Sequence, residues 1–506
     1  MEKQAEAGGR ARGGTGAGLG GRRALVAAVA GCAVLGGAVA LWPWERAAPR
    51  PVAPAAAPGA QALTAVTSGV PAALPDLAML IDEREARLRT HPKDALTWAV
   101  LGTAYVEQGR RTADATNYPR ADKALRTSMT VRPKGNTAAL DGMAALANAR
   151  RDFRAARTWG EAALKLEPKR WTTYPPLIDA YTGLGDYKAT KRTLDRLLKL
   201  RSGAAVRARA AGVYRDRGRR EDAAAALTDA AAGAGLPAEQ AAYLERAGQL
   251  AWERGDLEEA LRRFQAAVRL DPDQRAAQAG QGRTLAALGR TTEALNSYRV
   301  ALDKQPCPQY ALELGELYES LGLGQAARVE YDLLRTRVTD ETAGGVDDDL
   351  VLGVFEADHG DPQAAVRRLR VEWQRQPGIP VADALGWALH RAGDDKEALK
   401  FAAAATDQAH GGGVRSALYA YHRGMIEQES GLAGPARRHL QEAMRINPYF
   451  SPLAVPLAKQ ALAALGEPPD EPVPTVAPVS TDDEDNKAGQ KTRRVTPPRF
   501  RSARYG

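Results

Sequence analysis

LERAGQLAWERGDLEEALRRFQAAVRLDP, from Leu244 to Pro272, carries two helical apolar stripes, broken at Gly255-Asp256 and stopped at Asp271-Pro272. Glycine at the break adopts a left-handed backbone at little cost, and the aspartate beside it is a turn former. Pro272 biases its predecessor away from helix and so ends the second run. Neither run buries its apolar face alone. The stretch therefore predicts an α-hairpin that is completed by a neighbour.

The neighbour is in the sequence. Gly248, Gly255, Ala260, Phe264, Ala267 and Pro272 return 34 residues later as Gly282, Gly289, Ala294, Tyr298, Ala301 and Pro306. Gly315, Gly322, Ala327 and Tyr331 follow, then Gly353, Gly360, Ala365 and Leu369, then Gly386, Gly393 and Ala398, and last Gly424, Gly431, Ala436 and Leu440. Upstream the same register holds Gly218, Ala223 and Leu227, then Gly185, Thr190 and Leu194, then Ala144, Ala156 and Ala163. The first unit reads Trp98, Leu101-Gly102, Tyr105, Ala121, Leu125 and Pro133.

This pattern resembles the tetratricopeptide repeat, a 34-residue helical hairpin with W-x2-L-G-x2-Y followed by A, F, A and P. About ten units fit between Ala95 and Pro448. The resemblance implies an all-α, right-handed α-solenoid whose stability is mostly nearest-neighbour. In it the small residue such as Gly248 lets the two helices of a hairpin (A and B) approach. Phe264 or Tyr298 then fills the space between hairpins. Residues 75–92 read as an amphipathic cap before the array, and 451–466 as a closing helix that Pro456 is expected to kink or delimit.

Composition agrees with an array of closely packed helices. The chain has 506 residues, beyond the roughly 250–300 that one core usually serves. Hydrophobic residues make up 44% but aromatics only 6%, so Ala, Leu and Val carry the core. The net charge of +9 arises from 70 bases and 61 acids, a mixed surface and not the basic stripe of a nucleic-acid binder. Only Cys32 and Cys307 are present, which excludes a disulfide framework or cysteine metal site in the repeats.

The N-terminus reads as an address. A basic segment (1–23) precedes the uncharged run Ala24 to Trp44, which has the length of a spanning helix and ends in Trp42 and Trp44. A retained signal anchor with the N-terminus cytoplasmic and the repeats extracytoplasmic is the expectation. A signal cleaved after Ala38-Val39-Ala40, or a lipid on Cys32, are the alternatives. A Pro/Ala-rich linker is expected over 45–74, the solenoid with its caps over 75–466, and a disordered charged tail over 467–506.

The period breaks in three places. Residues 335–349 and 406–417 lengthen B-to-A connections, and 110–120 lengthens the A-to-B turn of the first unit. Such insertions either line a functional face or drift neutrally.

No catalytic constellation stands out. HGGGVR (410–415) lacks a nucleophile-elbow partner, and GLGQAA (322–327) is the repeat's own turn. Five histidines fall in the last third, His359, His390, His410, His422 and His439, without helical metal spacing. The expectation is a non-catalytic scaffold with no cofactor and no metal that binds a protein or peptide partner. The rivals are a metal- or cofactor-handling envelope subunit, and a self-assembler using the solenoid ends and Cys307.

In the family resembled, helix A lines a concave groove. Its outward positions imply Arg215, Asp216, Gln249, Trp252, Glu253, Arg283, Glu316, Glu319, Trp387, His390, Arg391, Tyr421, Met425 and Gln428 as groove candidates. Trp252 and Trp387 stand out because aromatics are scarce here and Trp is frequent at binding hot spots, with packing against the neighbouring repeat as the equal alternative.

Overall fold

The computed structural model describes residues 57–407 and 413–466. Within them are 23 α-helices, one short 3-10 turn and no strand. Twenty helices pair as ten A/B hairpins. Hairpin 1 is α3 (Ala95–Thr112) and α4 (Asn117–Val131), and hairpin 2 is α5 (Thr137–Ala149) and α6 (Phe153–Leu166). Hairpins 3 to 5 are α7 (Tyr174–Gly183) with α8 (Tyr187–Leu200), α9 (Ala204–Asp216) with α10 (Arg220–Ala232), and α11 (Pro237–Glu253) with α12 (Leu257–Leu270). Hairpins 6 to 8 are α13 (Arg275–Ala287) with α14 (Thr291–Lys304), α15 (Pro308–Ser320) with α16 (Gly324–Ala343), and α17 (Asp349–His359) with α18 (Pro362–Arg375). Hairpins 9 and 10 are α19 (Ile379–Arg391) with α20 (Asp395–Thr406) and α21 (Ala417–Glu429) with α22 (Ala433–Ile446).

Two ends differ from expectation or complete it. The linker expected over 45–74 does not run to 74, because Pro58–Ser68 forms α1, with Ala62, Ala65 and Val66 buried. It pairs with α2 (Leu74–Thr90), so the leading cap is a hairpin. At the other end α23 (Ala454–Ala464) closes the array. Pro456 sits in its first turn, where a missing N–H costs no helical bond. Among the described residues no helix is long and apolar enough to cross a membrane. The run 24–44, the tail 467–506 and His410 lie outside them.

Local chemistry sets the hairpins. Asp94, Asp152 and Asp186 cap α3, α6 and α8 by accepting the N–H of Thr97, Ala155 and Ala189. Gly255 turns between α11 and α12 at φ 79°. Phe264, 1% exposed, is the wedge between hairpins: a Cβ on Gly248 would lie 2.8 Å from its ring, and one on Gly280 of the next hairpin 2.5 Å. Both approaches require glycine.

The array then does something that the repeat pattern does not state. It coils back upon itself, and the A-to-B turn of each early hairpin meets the connection that comes after the hairpin five units later. Gln305 Nε2 donates to Arg110 O (3.1 Å), Arg150 Nε to Gly344 O (3.1 Å) and the Ile379 amide to the Tyr187 hydroxyl (2.9 Å). Arg220 donates to Arg415 O, and Asn447 Nδ2 to Trp252 O at 2.8 Å. These five pairs are separated by 195, 194, 192, 195 and 195 residues, respectively. That near-constant offset is a superhelical turn. Arg111 and Asp271, both buried, add an ion pair of 2.7 Å across the same seam. Tyr187, Ile379, Ala382 and Ala405 add an apolar cluster to it.

The three insertions lie on this seam. Residues 110–120 and 335–349 meet directly, through Arg337 Nη2 donating to Ala113 O (3.0 Å) and Gly344 against Ala115. The connection that carries Gly413 and Arg415 meets Gly218 and Arg220. Insertions on opposite edges of one turn thus become partners across two.

Candidate binding groove

Because A helices face the inside of the superhelix, their outward side chains converge there. Arg215 at the end of α9 grips Glu253 of α11 with two nitrogens, at 2.7 and 2.6 Å, and also bonds Asp216 at 3.1 Å. Gln249 bridges onward, donating to Glu253 (3.0 Å) and accepting from Arg283 of α13 (2.9 Å). Arg283 in turn holds Glu313 of α15 with both ends of its guanidinium. The result is a continuous polar ladder over four hairpins, each of which contributes at least one side chain. Burial alone would push the Glu253 carboxyl up, but the Arg215 guanidinium and the Gln249 amide outweigh it and hold it below the ordinary value.

Beside the ladder is a cavity of about 770 Å³. One wall is the inner face of hairpins 1 to 5, including Thr103, Val106, Asn148, Asp179 and Arg209. The other is the second turn, including Glu372, Gln376, Val381 and Tyr419. Arg246 of α11 lines it, is solvent-exposed, and has no hydrogen-bond partner among the described residues. Protein surrounds it within the interior, so desolvation lowers its pKa, and the like charges of Arg209 and Arg110 lower it further. Arg110 is paired to Glu107 at 2.8 Å and Arg209 to Asp179. Among the described residues that line the cavity, Arg246 is thus the guanidinium without a hydrogen bond, its charge partly offset by Glu245.

Hairpins 7 to 10 bring the remaining candidates together differently. Trp387 and Tyr421, like Trp252 of hairpin 5, are packed into the array, at 7%, 2% and 6% exposed. Trp387 donates its indole N–H to Asp358 (2.9 Å) and stacks on His422 at 4.2 Å; Tyr421 packs between Trp387 and Phe450. Arg391 reaches Ala357 O and Asp358, His390 binds Asp395, and Met425 packs against the same core. Glu316 and Glu319 both face His359, and Glu319 also accepts from the Tyr331 hydroxyl. Gln428 Oε1 is buried with no donor among the described residues.

The metal reading finds little support in the histidines. His359, His390, His422 and His439 each sit on different carboxylates. One group of three side chains among the described residues has ligand-like spacing, Asp347, Asp349 and Glu372, and it contains no histidine. Arg368 and Arg375 already bond Asp349. Cys307, the self-assembly candidate, has its thiol pushed up by burial to about 11, which makes it a poor nucleophile.

Besides Arg209, Arg246 and the wall from the second turn, the groove residues that the sequence reading missed are those of hairpins 1 to 3: Thr103, Val106, Glu107, Asn148, Asp179 and Thr182. The signal was present. They occupy the register positions of Gln249, Trp252 and Glu253, and extending that register three units upstream would have found them.

A family model described as tetratricopeptide repeat matches residues 208–275, 245–306 and 280–337. No curated protein matches the chain. Among solved structures, a tetratricopeptide repeat protein from Parabacteroides merdae is 18% identical, with 52% of this chain and 99% of that one covered and a TM-score of 0.31. YrrB, titled a TPR protein with an unusual peptide-binding site, is 22% identical, with 37% and 96% covered and a TM-score of 0.26. Yeast Tom70 is 14% identical, with 72% and 96% covered and a TM-score of 0.33. Likeness at this level concerns the helical hairpin and says nothing of ligands. The chain therefore carries tetratricopeptide repeats over 208–337, flanked on both sides by hairpins of the same build.

Proposed function

We propose that the chain is a non-catalytic scaffold that holds an extended segment of a partner protein inside its superhelix, with an acidic side chain of that segment meeting Arg246. The observation that carries this reading is the cavity of about 770 Å³, open to water and lined by a cation with no hydrogen-bond partner among the described residues. The lining mixes paired charges with apolar side chains such as Val66, Val106 and Ile379, which suits an extended segment that carries both polar and apolar side chains. We further propose that the apolar run Ala24 to Trp44 anchors the repeats at the extracytoplasmic face of a membrane. The basic residues before the run and the tryptophans at its end support that orientation.

Photo-crosslinking in intact membranes tests the groove. A photoreactive residue at Val106 or Tyr419, inside the cavity, should capture the partner. One at Leu198, exposed on a B helix, should not. Capture from Leu198 alone would refute the assignment. Arg246→Gln should weaken capture with unchanged helix content. Protease added to intact cells tests the orientation, and a fully protected repeat domain would reverse it.

A further inference from the structure

The insertion at 335–349 ends in three acids, Asp347, Asp348 and Asp349, just as α17 begins. Consecutive carboxylates repel, so each needs its own cation or donor. Asp348 finds one across the seam in Arg151 of hairpin 2. Asp347 and Asp349 instead come together with Glu372 of α18, and one oxygen from each of the three lies within 4.8 Å of the others. The Asp349 amide donates to Asp347 Oδ1 (3.1 Å), which fixes Asp347 at the head of α17.

Glu372 is what separates this group from an ordinary acidic surface. It is 2% exposed, and its Oε2 is buried with no hydrogen-bond donor among the described residues. Its ion-pair contact, Arg375 Nε, stands off at 3.8 Å. A buried carboxylate oxygen left so costs free energy that a cation would recover. The arginines nearby are overdrawn. Arg368 is divided between Asp349 (2.6 Å) and Glu356 (3.0 Å), and Arg375 between Asp347 and Asp349 (3.2 Å). Four carboxylates thus meet two guanidiniums, which leaves the group two positive charges short. The Arg375 side chain is 45% exposed, so it can swing into water without opening the core. A cavity of about 410 Å³, lined by Asp347, Asp349 and Arg375, gives an ion a way in.

We propose that Asp347, Asp349 and Glu372 bind one calcium-type divalent cation, which takes the place of the Arg375 guanidinium and pins the insertion to hairpin 8 beside the seam. A set of carboxylates alone, with no nitrogen or sulfur donor, suits a hard cation. Oxygens held about 2.3–2.6 Å from one calcium ion lie up to about 5 Å apart, so these three reach one ion with little rearrangement, and water completes its shell. The main chain of Asp347 is already tied to hairpin 2: its amide donates to Arg150 O (3.1 Å), and its carbonyl accepts from Arg151 Nη1 (2.8 Å). An ion on its side chain would therefore join hairpins 2 and 8 through one residue, and so brace the two superhelical turns.

The site is tested on the full chain in detergent, stripped with chelator and with no partner protein present, so its failure is distinct from failure of the groove reading. Calcium chloride is titrated in by calorimetry, and melting is followed with and without the ion. The expected result is a saturable site and a higher melting temperature with calcium. Glu372→Gln keeps the shape but removes the buried charge. With helix signal unchanged, it should weaken binding by more than the roughly 10–100-fold that loss of a supporting residue costs. Arg375→Gln removes the competing cation and should tighten binding. No binding by either the wild type or Arg375→Gln would overturn the site and leave a plain cluster of ion pairs. Binding that survives Glu372→Gln undiminished would overturn it too, because the ion would then sit on other acids of the chain.

Discussion

Replacing Gly185 by alanine tests the turn-upon-turn seam against a control within the same molecule. Gly185 and Gly289 hold the same place in hairpins 3 and 6, with φ 69° and 74°. Alanine at either must adopt a left-handed backbone, at about 1–2 kcal/mol. Their surroundings differ. A Cβ on Gly185 would lie 2.4 Å from Pro377 O, a backbone atom of the next turn, whereas one on Gly289 meets nothing within 4 Å. Relieving such an overlap costs about a further 1–3 kcal/mol. Gly185→Ala should therefore lose about 2–5 kcal/mol and Gly289→Ala about 1–2, and the difference belongs to the seam. Urea unfolding followed by helix signal reads both, comparing the first transition because repeat arrays depart from two-state behaviour. Small-angle scattering should show expansion for the Gly185 variant alone. Equal unfolding shifts with equal radii would refute the superhelical contact.

The same packing sets other outcomes. Phe264→Ala, which removes a 1%-exposed wedge between two hairpins, should destabilise by about 3–5 kcal/mol in denaturation. Tyr187→Phe strands the Ile379 amide (2.9 Å from the hydroxyl) and should cost about 1–3 kcal/mol, with faster hydrogen exchange at Ile379. Trp252→Ala should lower stability along with any loss of binding, because the ring is buried; an unchanged melting temperature would contradict that placement. Asp94, held at about 2 chiefly by the Thr97 amide, lies below its ordinary 3.8, so its cap stabilises above that range and fails as pH falls through about 2. Asp94→Asn should flatten that acid limb in a pH-dependent melting series.

The hairpins were legible in the sequence because their packing is local. Gly248, Phe264 and Gly280 meet within one repeat and its successor, so their spacing is a period that the eye can find. The seam was not legible. Arg150 and Gly344 are 194 residues apart, and no periodicity marks such pairs; only the three insertions hinted that something happens there. Helix α1 was hidden by averaging, since Pro58 and Pro71 lent their character to the Pro-free stretch 59–70. Pro58 in fact sits at the helix start, where proline is welcome. Of the positions that register singled out, Arg215 and Asp216 line the cavity while Gln249, Glu253 and Arg283 lie in the ladder beside it, and register did not show which lie open. Arg246 is exposed while Trp252, six residues on, is buried in the apolar cluster of Leu244, Leu257 and Phe264.

The five-hairpin offset has a consequence for how such a chain can change. An ordinary linear solenoid gains or loses a unit with little effect on distant ones, because each unit answers only to its neighbours. Here the coil works as a screw thread. Excising one hairpin from the middle would bring every later connection up one pitch step early, with Asn447 facing the wrong turn and Gly344 missing Ala115. The number of units between the two turns is thereby locked, and viable length variants of this array should differ only beyond the threaded part, at its ends.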